Sequence, residues 1–253
     1  MRWIDENDLR YIQFPHLARF TGLWHGIFTR HLRDRQIGAV FPFNVGYHAG
    51  DPDSVVTRNR RRMMATVGGA VAVYAHQVHG TQVAVWDNTR NEGNIRLDGD
   101  ALVTNEPGTA LVIQMADCQS VLLADPVKRV IANVHSGWRG STHNIIGKTV
   151  ASMTLRFGCR PEDIHGGIGP SLGPCCAEFK NYRSEIPSRY WTYRREGDLF
   201  DFWQISIDQL IAAGVPAGQV MVAGICTRCN TSTFFSYRGE GCATGRFAAV
   251  IRW

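Results

Sequence analysis

The apolar positions of this chain gather in short continuous runs, separated by clusters of Gly, Asn, Asp and Pro. Runs without polar alternation predict strands buried on both faces. Four of them stand out: residues 70–80 (AVAVYAHQVHG), 109–118 (TALVIQMADC), 120–126 (SVLLADP) and 128–135 (KRVIANVH). Asp125-Pro126 reads as the turn of a hairpin between the last two. Residues 81–87 (TQVAVWD) predict a further strand that continues the first or pairs antiparallel with it. Residues 25–31, 220–227 and the apolar C-terminus predict three more, and residues 1–20 a short helix with an opening strand. The helical period appears after Asp51-Pro52-Asp53-Ser54, with Asp or Ser as the cap, and runs to about Val67, where Gly68-Gly69 stops it. Helices are also predicted from about Ser141 to Phe157, ended by Gly158, over residues 178–191, and over 203–213, closed by Gly214. Residues 88–100 predict a loop. With no repeat and no long linker, the simplest account is one mixed α/β domain over residues 1–253, its helices covering a sheet.

Composition narrows the function classes rather than the fold. The chain has 253 residues, 44% hydrophobic and 19% charged, enough for a sizeable core. The formal net charge of +5 fits an anionic small molecule or phosphate, and equally weak nucleic-acid contact. The one dense basic cluster, Arg58, Arg60, Arg61 and Arg62, reads equally as the solvated face of a helix. There is no RNA-binding aromatic signature and no Cys/His finger spacing, so nucleic acid is not expected. No apolar stretch reaches the roughly 18 residues of a membrane span, and the polar MRWIDENDLR start is not a signal peptide. Seven cysteines, odd in number and scattered, are expected to be reduced thiols in a cytoplasmic protein.

Candidate chemistry sits where core strands end: His79, Cys118 and His135. If those strands run side by side with matched ends, the three side chains converge at one edge, where ligand sites of α/β sheets lie. Positions 79, 118 and 135 are 39 and 17 residues apart, which excludes a compact zinc finger. Two imidazoles and a thiolate suit an open Zn²⁺ site that acidifies a coordinated water. Each of the three alone reads as readily as a structural residue. His76 competes with His79, but an odd offset along a strand faces the other way. Cys118 with a nearby His also fits a metal-free nucleophile–base pair. The set also fits copper, for which Met115 is a poor axial ligand. Cys226 and Cys229 form a CxxC with no second such pair, so no zinc site is expected there, and adjacent Cys175 and Cys176 are expected to pack. The segment GIGPSLGP reads either as backbone N–H groups around an anion or as a tight connection.

Six motifs in order resemble one family: QVHG at 77–80, DGDALVT at 98–104, ADC at 116–118, HSGWRG at 135–140, IGPSLGPCC at 168–176, and FFSYR with TGR at 234–246. They are similar to the YfiH family, also called laccase-domain-containing, multicopper polyphenol oxidase or peptidoglycan editing factor proteins. FNVGYHAGD and NRRRM extend the likeness toward the N-terminus, to about residue 25. The resemblance implies a three-layer α/β/α sandwich related to putative cysteine hydrolases. It implies metal ligation by His79, Cys118 and His135. It also implies zinc-dependent phosphorolysis of adenosine, inosine and methylthioadenosine, with deamination of adenosine. Copper polyphenol oxidation is the family's alternative reading, and a peptidoglycan hydrolase or editing factor a third. Phosphorolysis needs a cationic hold on phosphate, for which Arg139, next to the metal motif, is the first candidate, then Arg60 and Arg238. Asn44 and His48 are candidates for ribose or base. The expected partners are purine nucleosides and phosphate, with no nucleic acid and no membrane, and the chain is expected to be a monomer or homodimer.

Overall fold

The apolar runs form two sheets rather than one. In the computed structural model, which describes residues 1–34, 37–87 and 95–253, the strands are β1 (Arg2–Glu6), β2 (Leu9–Gln13), β3 (Trp24–Asp34), β4 (Ala39–Pro42), β5 (Val71–His76), β6 (Val83–Trp86), β7 (Ile95–Asp98), β8 (Ala101–Thr104), β9 (Thr109–Met115), β10 (Gln119–Asp125), β11 (Val130–Ser136), β12 (His165–Ile168), β13 (Val220–Val222) and β14 (Phe247–Arg252). The first sheet has the order β1-β2-β3-β14-β9-β5-β7, with β4 beside β3; the second has the order β13-β12-β10-β11-β8-β6. The sheets face each other across Ile27, Val73, Leu111 and Ile113 of the first and Leu102, Leu122, Ala124 and Ile131 of the second. Buried Asn133 on β11 stitches them together: its Nδ2 donates to the Leu111 carbonyl at 3.0 Å and the Ala249 carbonyl at 2.9 Å in the other sheet.

Helices cover the outer faces. Helix α1 (Pro15–Ala18) is a single turn. Helix α2 (Asp53–Val67) buries Val56, Asn59, Met63 and Val67, a stripe of helical spacing, and its Met63 and Val67 pack on the first sheet. Each such fully buried apolar side chain stabilises the fold by roughly 1.5–3 kcal/mol. Arg58, Arg61 and Arg62 stay on its exposed side. Helix α3 (Trp138–Thr142) is short; α4 (Ile145–Phe157), α5 (Tyr182–Glu185), α6 (Phe202–Ala212) and α7 (Tyr237–Glu240) follow, with Ile146, Val150, Met153 and Leu210 of α4 and α6 on the second sheet. The expected α/β/α sandwich is present, and its β layer is double. Each sheet has one face on the other sheet and one on helices, which is why β9, β10 and β11 read as unbroken apolar runs.

Several local expectations change. Strand β6 pairs parallel with β8 in the second sheet, not with β5, because the turn at 77–80 carries the chain across. Helix α2 has Pro52 as its cap residue and no side-chain cap bond, so neither Asp nor Ser fills that role. The helix expected over 141–157 is two helices, divided at Asn144, which adopts φ 57° and whose side chain accepts the Gly147 N–H. The helix expected over 178–191 shrinks to α5 because Pro187 interrupts it, leaving a 3₁₀ stretch over Ser188–Tyr193. The strand expected over 220–227 stops at Val222, short of Gly224 at φ 66°. Of the loop expected over 88–100, residues 88–94 lie outside the described residues and Ile95–Asp98 is β7.

Candidate metal centre

The site forms where the chain passes between the two sheets. Strand β9 of the first sheet leads to β10 of the second through Ala116-Asp117-Cys118, a crossing made possible by Asp117 at φ 88°. Strand β5 of the first sheet leads into the turn that holds His79, at φ 60°. His135 lies on β11, opposite Ser120 of β10. These left-handed conformations are uncommon for residues other than glycine and are held only where surrounding bonds fix them. Asp117 is fixed by three donors: Thr227 Oγ1 at 2.6 Å, Ser236 Oγ at 2.7 Å and the Arg238 backbone N–H at 2.6 Å. Its carboxylate is therefore spent on structure.

One ligand atom from each of His79, Cys118 and His135 lies within 4.8 Å of the other two. Gly137 makes room for this: a Cβ there would stand 3.0 Å from Cys118 Sγ and 3.1 Å from His79 Cδ2. Asp100, fully buried, orders the whole cluster. Its carboxylate accepts the backbone N–H groups of Val78 (3.2 Å), His79 (2.9 Å) and Gly80 (2.7 Å), and the Nδ1–H of His135 at 2.8 Å. That last bond fixes the His135 tautomer and leaves Nε2 to face the other two donors. The sequence reading included the DGD motif but gave Asp100 no role.

The electrostatics follow from this packing. Burial alone would push the Cys118 thiol up; the facing His135 and His79 rings outweigh it and draw the thiol down to about 6. Burial alone would lower His135; Cys118 and the Asp100 carboxylate push it up to about 9. Burial opposes ionisation of Asp100 too, yet His135 and the Gly80 N–H hold its carboxyl below the usual carboxylate value. Two imidazoles and a thiolate-prone sulfur at this spacing fit Zn²⁺. Bonds of about 2.0–2.3 Å in tetrahedral array separate donors by roughly 3.3–3.8 Å.

The trio lines a cavity of about 950 Å³. Of the other predicted residues, His48 and Arg238 line it too. Arg238 stacks 5.8 Å from the Phe179 ring and its Nη1 donates to the Glu178 carbonyl. Asn44, Arg60 and Arg139 are not in the lining. Asn44 is fully buried and consumed by its own turn: it donates to the Gly46 and Ala49 carbonyls and accepts the Gly46 and Arg246 N–H groups. Arg60 donates to the Val45 carbonyl and lies over the Tyr47 and Tyr74 rings at 4.1 and 4.5 Å. Arg139 is exposed on α3, beside Trp138. The fold instead supplies Arg246, which lines the cavity half-buried. Its Nη1 donates to the Thr244 and Gly245 carbonyls, and it has no carboxylate partner among the described residues. Burial lowers its pKa, and Cys118, Tyr237 and the Asp117 carboxylate act the other way. The GIGPSLGP backbone holds no anion cradle. Gly169, Ser171, Leu172 and Gly173 donate to Ser120 O, Ile225 O, Asp117 O and Cys226 Sγ.

The sequence model of the family described as "Multi-copper polyphenol oxidoreductase laccase" matches residues 25–253. The chain is 32% identical over 249 residues to a Geobacillus stearothermophilus protein named purine nucleoside phosphorylase YlmD, covering 92% of this chain and 90% of that one. It is 34% identical over 238 residues to a Deinococcus radiodurans protein named purine nucleoside phosphorylase, covering 88% and 87%. The crystal structure of Bacillus licheniformis hypothetical protein YfiH superposes with a TM-score of 0.82 at 25% identity, over 99% of this chain and 98% of that one.

Proposed function

The chain belongs to the multi-copper polyphenol oxidoreductase laccase family, and from that membership and its relatives' names we propose that it is a zinc-dependent purine nucleoside phosphorylase. Adenosine, inosine and methylthioadenosine are its substrates, and it also deaminates adenosine. The observation that carries the reading is the His79–Cys118–His135 trio lining a cavity that also offers aromatic faces and guanidinium groups. Held by those three residues, Zn²⁺ supplies Lewis acidity at the open side of the trio.

This chain's own residues do the rest. In phosphorolysis a phosphate oxygen bonds to the ribose C1′ as the C1′–N9 bond breaks, and its electron pair leaves with the purine. Arg246 and Arg238 hold and orient the phosphate, neither guanidinium being in an ion pair among the described residues. Phe179, Phe202 and Trp138 offer ring faces to the purine. Gln77 is committed to the Gln114 backbone at both ends of its amide, whereas the Gln114 side chain, in the cavity lining, has no bond among the described residues and can read the purine edge. Deamination needs a proton carrier. With Asp117 spent, that role falls to Glu178 or Glu185, which the fold brings into the lining.

The test is chromatography of purified protein given inosine or adenosine with and without phosphate. Phosphate-dependent release of hypoxanthine or adenine, with ribose 1-phosphate, is expected. Cys118→Ala is expected to lose it by more than the roughly 10–100-fold that follows loss of an outer partner of a metal ligand, with an unchanged circular dichroism spectrum. Wild-type turnover by Cys118→Ala would sink the proposal.

A copper reading has one observation in its favour: a His₂Cys set with Met115 in the same lining resembles a mononuclear copper site. Against it, among the described residues only one candidate metal cluster contains histidine, so no second histidine-bearing copper site stands beside it. Stoichiometric copper with oxygen uptake on phenols would favour that reading. Activity that survives a chelator and dies with a thiol alkylator would favour a metal-free Cys–His hydrolase.

A further inference from the structure

Four of the remaining six cysteines meet in one place. Cys175 and Cys176 follow β12; Cys226 and Cys229 follow β13. One sulfur from each lies within 4.8 Å of the other three. Cys229 Sγ is 3.6 Å from Cys175 Sγ and 3.5 Å from Cys176 Sγ. The CxxC that lacks a partner in sequence thus acquires one in space, in the adjacent pair that sequence alone assigned to packing.

The backbone builds this meeting. Strands β12 and β13 run parallel, and the pairing continues past their ends as a bridge between Ser171 and Cys226. Ser171 N–H donates to the Ile225 carbonyl and Thr227 N–H to the Ser171 carbonyl. Gly173 then lets the two loops touch, since a Cβ there would stand 3.0 Å from Cys226 Cβ. A turn follows in which the N–H groups of Cys176 and Ala177 both donate to the Gly173 carbonyl. The Gly173 N–H points at Cys226 Sγ, 3.3 Å away, a contact that stabilises a thiolate. Cys176 and Cys226 are buried, while Cys175 and Cys229 are exposed, so an ion has a way in.

We propose that Cys175, Cys176, Cys226 and Cys229 form a second metal site, a closed tetrathiolate that takes Zn²⁺. Four sulfurs at about 2.3 Å from a tetrahedral zinc stand about 3.8 Å from one another, close to the spacings seen here. With no fourth position left open, this ion is structural, unlike the one at His79, Cys118 and His135. Its place gives it a purpose. Thr227, inside the CxxC, donates to the Asp117 carboxylate, and Leu172, at the start of the other loop, donates to the Asp117 carbonyl. A metal clamp on the two loops therefore braces the left-handed turn that presents Cys118.

The proposal does not rest on nucleoside chemistry, and its test separates the two sites. The full-length chain is purified from zinc-supplemented culture and its metal content measured per chain. Wild type is expected to hold two zinc ions, Cys118→Ala one, and Cys175→Ser/Cys229→Ser one. In Cys118→Ala, replacement of zinc by Co²⁺ is expected to give the intense visible bands and sulfur-to-metal charge transfer of a tetrahedral thiolate site. A readout on the unmutated cysteines covers any failure of the Ser variant to fold. In zinc-loaded Cys118→Ala, Cys175 and Cys229 are expected to resist alkylation while exposed Cys242 reacts, and to lose that protection with a strong chelator. Cys118→Ala that holds no zinc, alkylation of all four cysteines at the Cys242 rate, or a disulfide among them in protein kept under reductant would overturn the proposal. Two zinc ions without any purine activity would uphold this site and refute the nucleoside reading alone.

Discussion

Asp100 carries more of the centre's geometry than any of the three donors. One carboxylate holds the His79 turn by three backbone N–H groups and the His135 ring by a fourth bond. Asp100→Asn keeps the volume but removes the charge that favours the His135 Nδ1–H. It is expected to weaken zinc binding about 10–100-fold, read by competition with a chromophoric chelator, with far-ultraviolet circular dichroism unchanged. His79, Cys118 and His135 were legible in the sequence as a set, because each stands where an apolar run ends and the three together make a metal-ligating combination that none makes alone. Asp100 was not, because its role lies in bonds to residues 20 to 35 positions away. Neighbourhood in sequence misled in the other direction for Arg139, which a single turn of α3 carries to the outside. Asn44 and Arg60 belong to the resembling segments, but Asn44 is used up by backbone groups of residues 46, 49 and 246, and Arg60, on α2, reaches back to the Val45 carbonyl. Arg246 stood in the TGR motif, and only the fold shows it half-buried in the cavity beside the trio, in no ion pair among the described residues.

At the level of elements, the places where helices stop read well. Helices α2 and α4 end at Gly68 and Gly158, both left-handed, as C-terminal glycines do. Gly158 has open space: a Cβ would meet only Lys128 Cε, at 4.0 Å. Gly158→Ala therefore isolates the conformational cost of φ 67°, and about 1 kcal/mol of stability is expected to be lost, measured by urea denaturation with the m-value unchanged. Strand existence was equally legible for β9, β10 and β11, and so was the hairpin joining the last two. Which sheet a strand joins was not. A half-buried strand shows its solvent face in a polar alternation, but these strands have no solvent face, so nothing in the run distinguishes the two sheets. The misplaced β6, only partly buried, has a different cause: it belongs with β8, and the crossing that sends it there runs through the turn that Asp100 holds.

Across the whole molecule, stability depends on pH through groups outside the centre as well. His25 is completely buried on β3, its Nε2 accepting the Phe14 N–H at 2.8 Å. Burial, with a small contribution from His16, lowers its pKa to about 3. In the unfolded chain this ring takes a proton near its ordinary value of about 6.5. Between those limits the unfolded state binds more protons. The stabilisation is therefore complete above about pH 6.5 and is lost as pH falls toward 3. His25→Gln keeps an acceptor without the titration and is expected to reduce the slope of stability against pH by up to about 1.4 kcal/mol per pH unit in that window. Denaturation curves recorded with chelator present would show it. His165, which burial lowers to about 4, accounts for part of the slope that remains.

The two-sheet construction bears on how this protein fails. His79 sits in the turn that carries the chain from the first sheet to the second, Cys118 in the β9–β10 crossing that does the same, and His135 is rooted in the second sheet. Metal–ligand bonds tolerate only about 0.2 Å, so with an ion held there the three side chains would work like a vernier on the alignment of one sheet over the other. Trimming an interior residue such as Leu122, which packs between the sheets, would let the layers slip. Ion affinity would register that slippage while the chain still looked folded by every bulk measure.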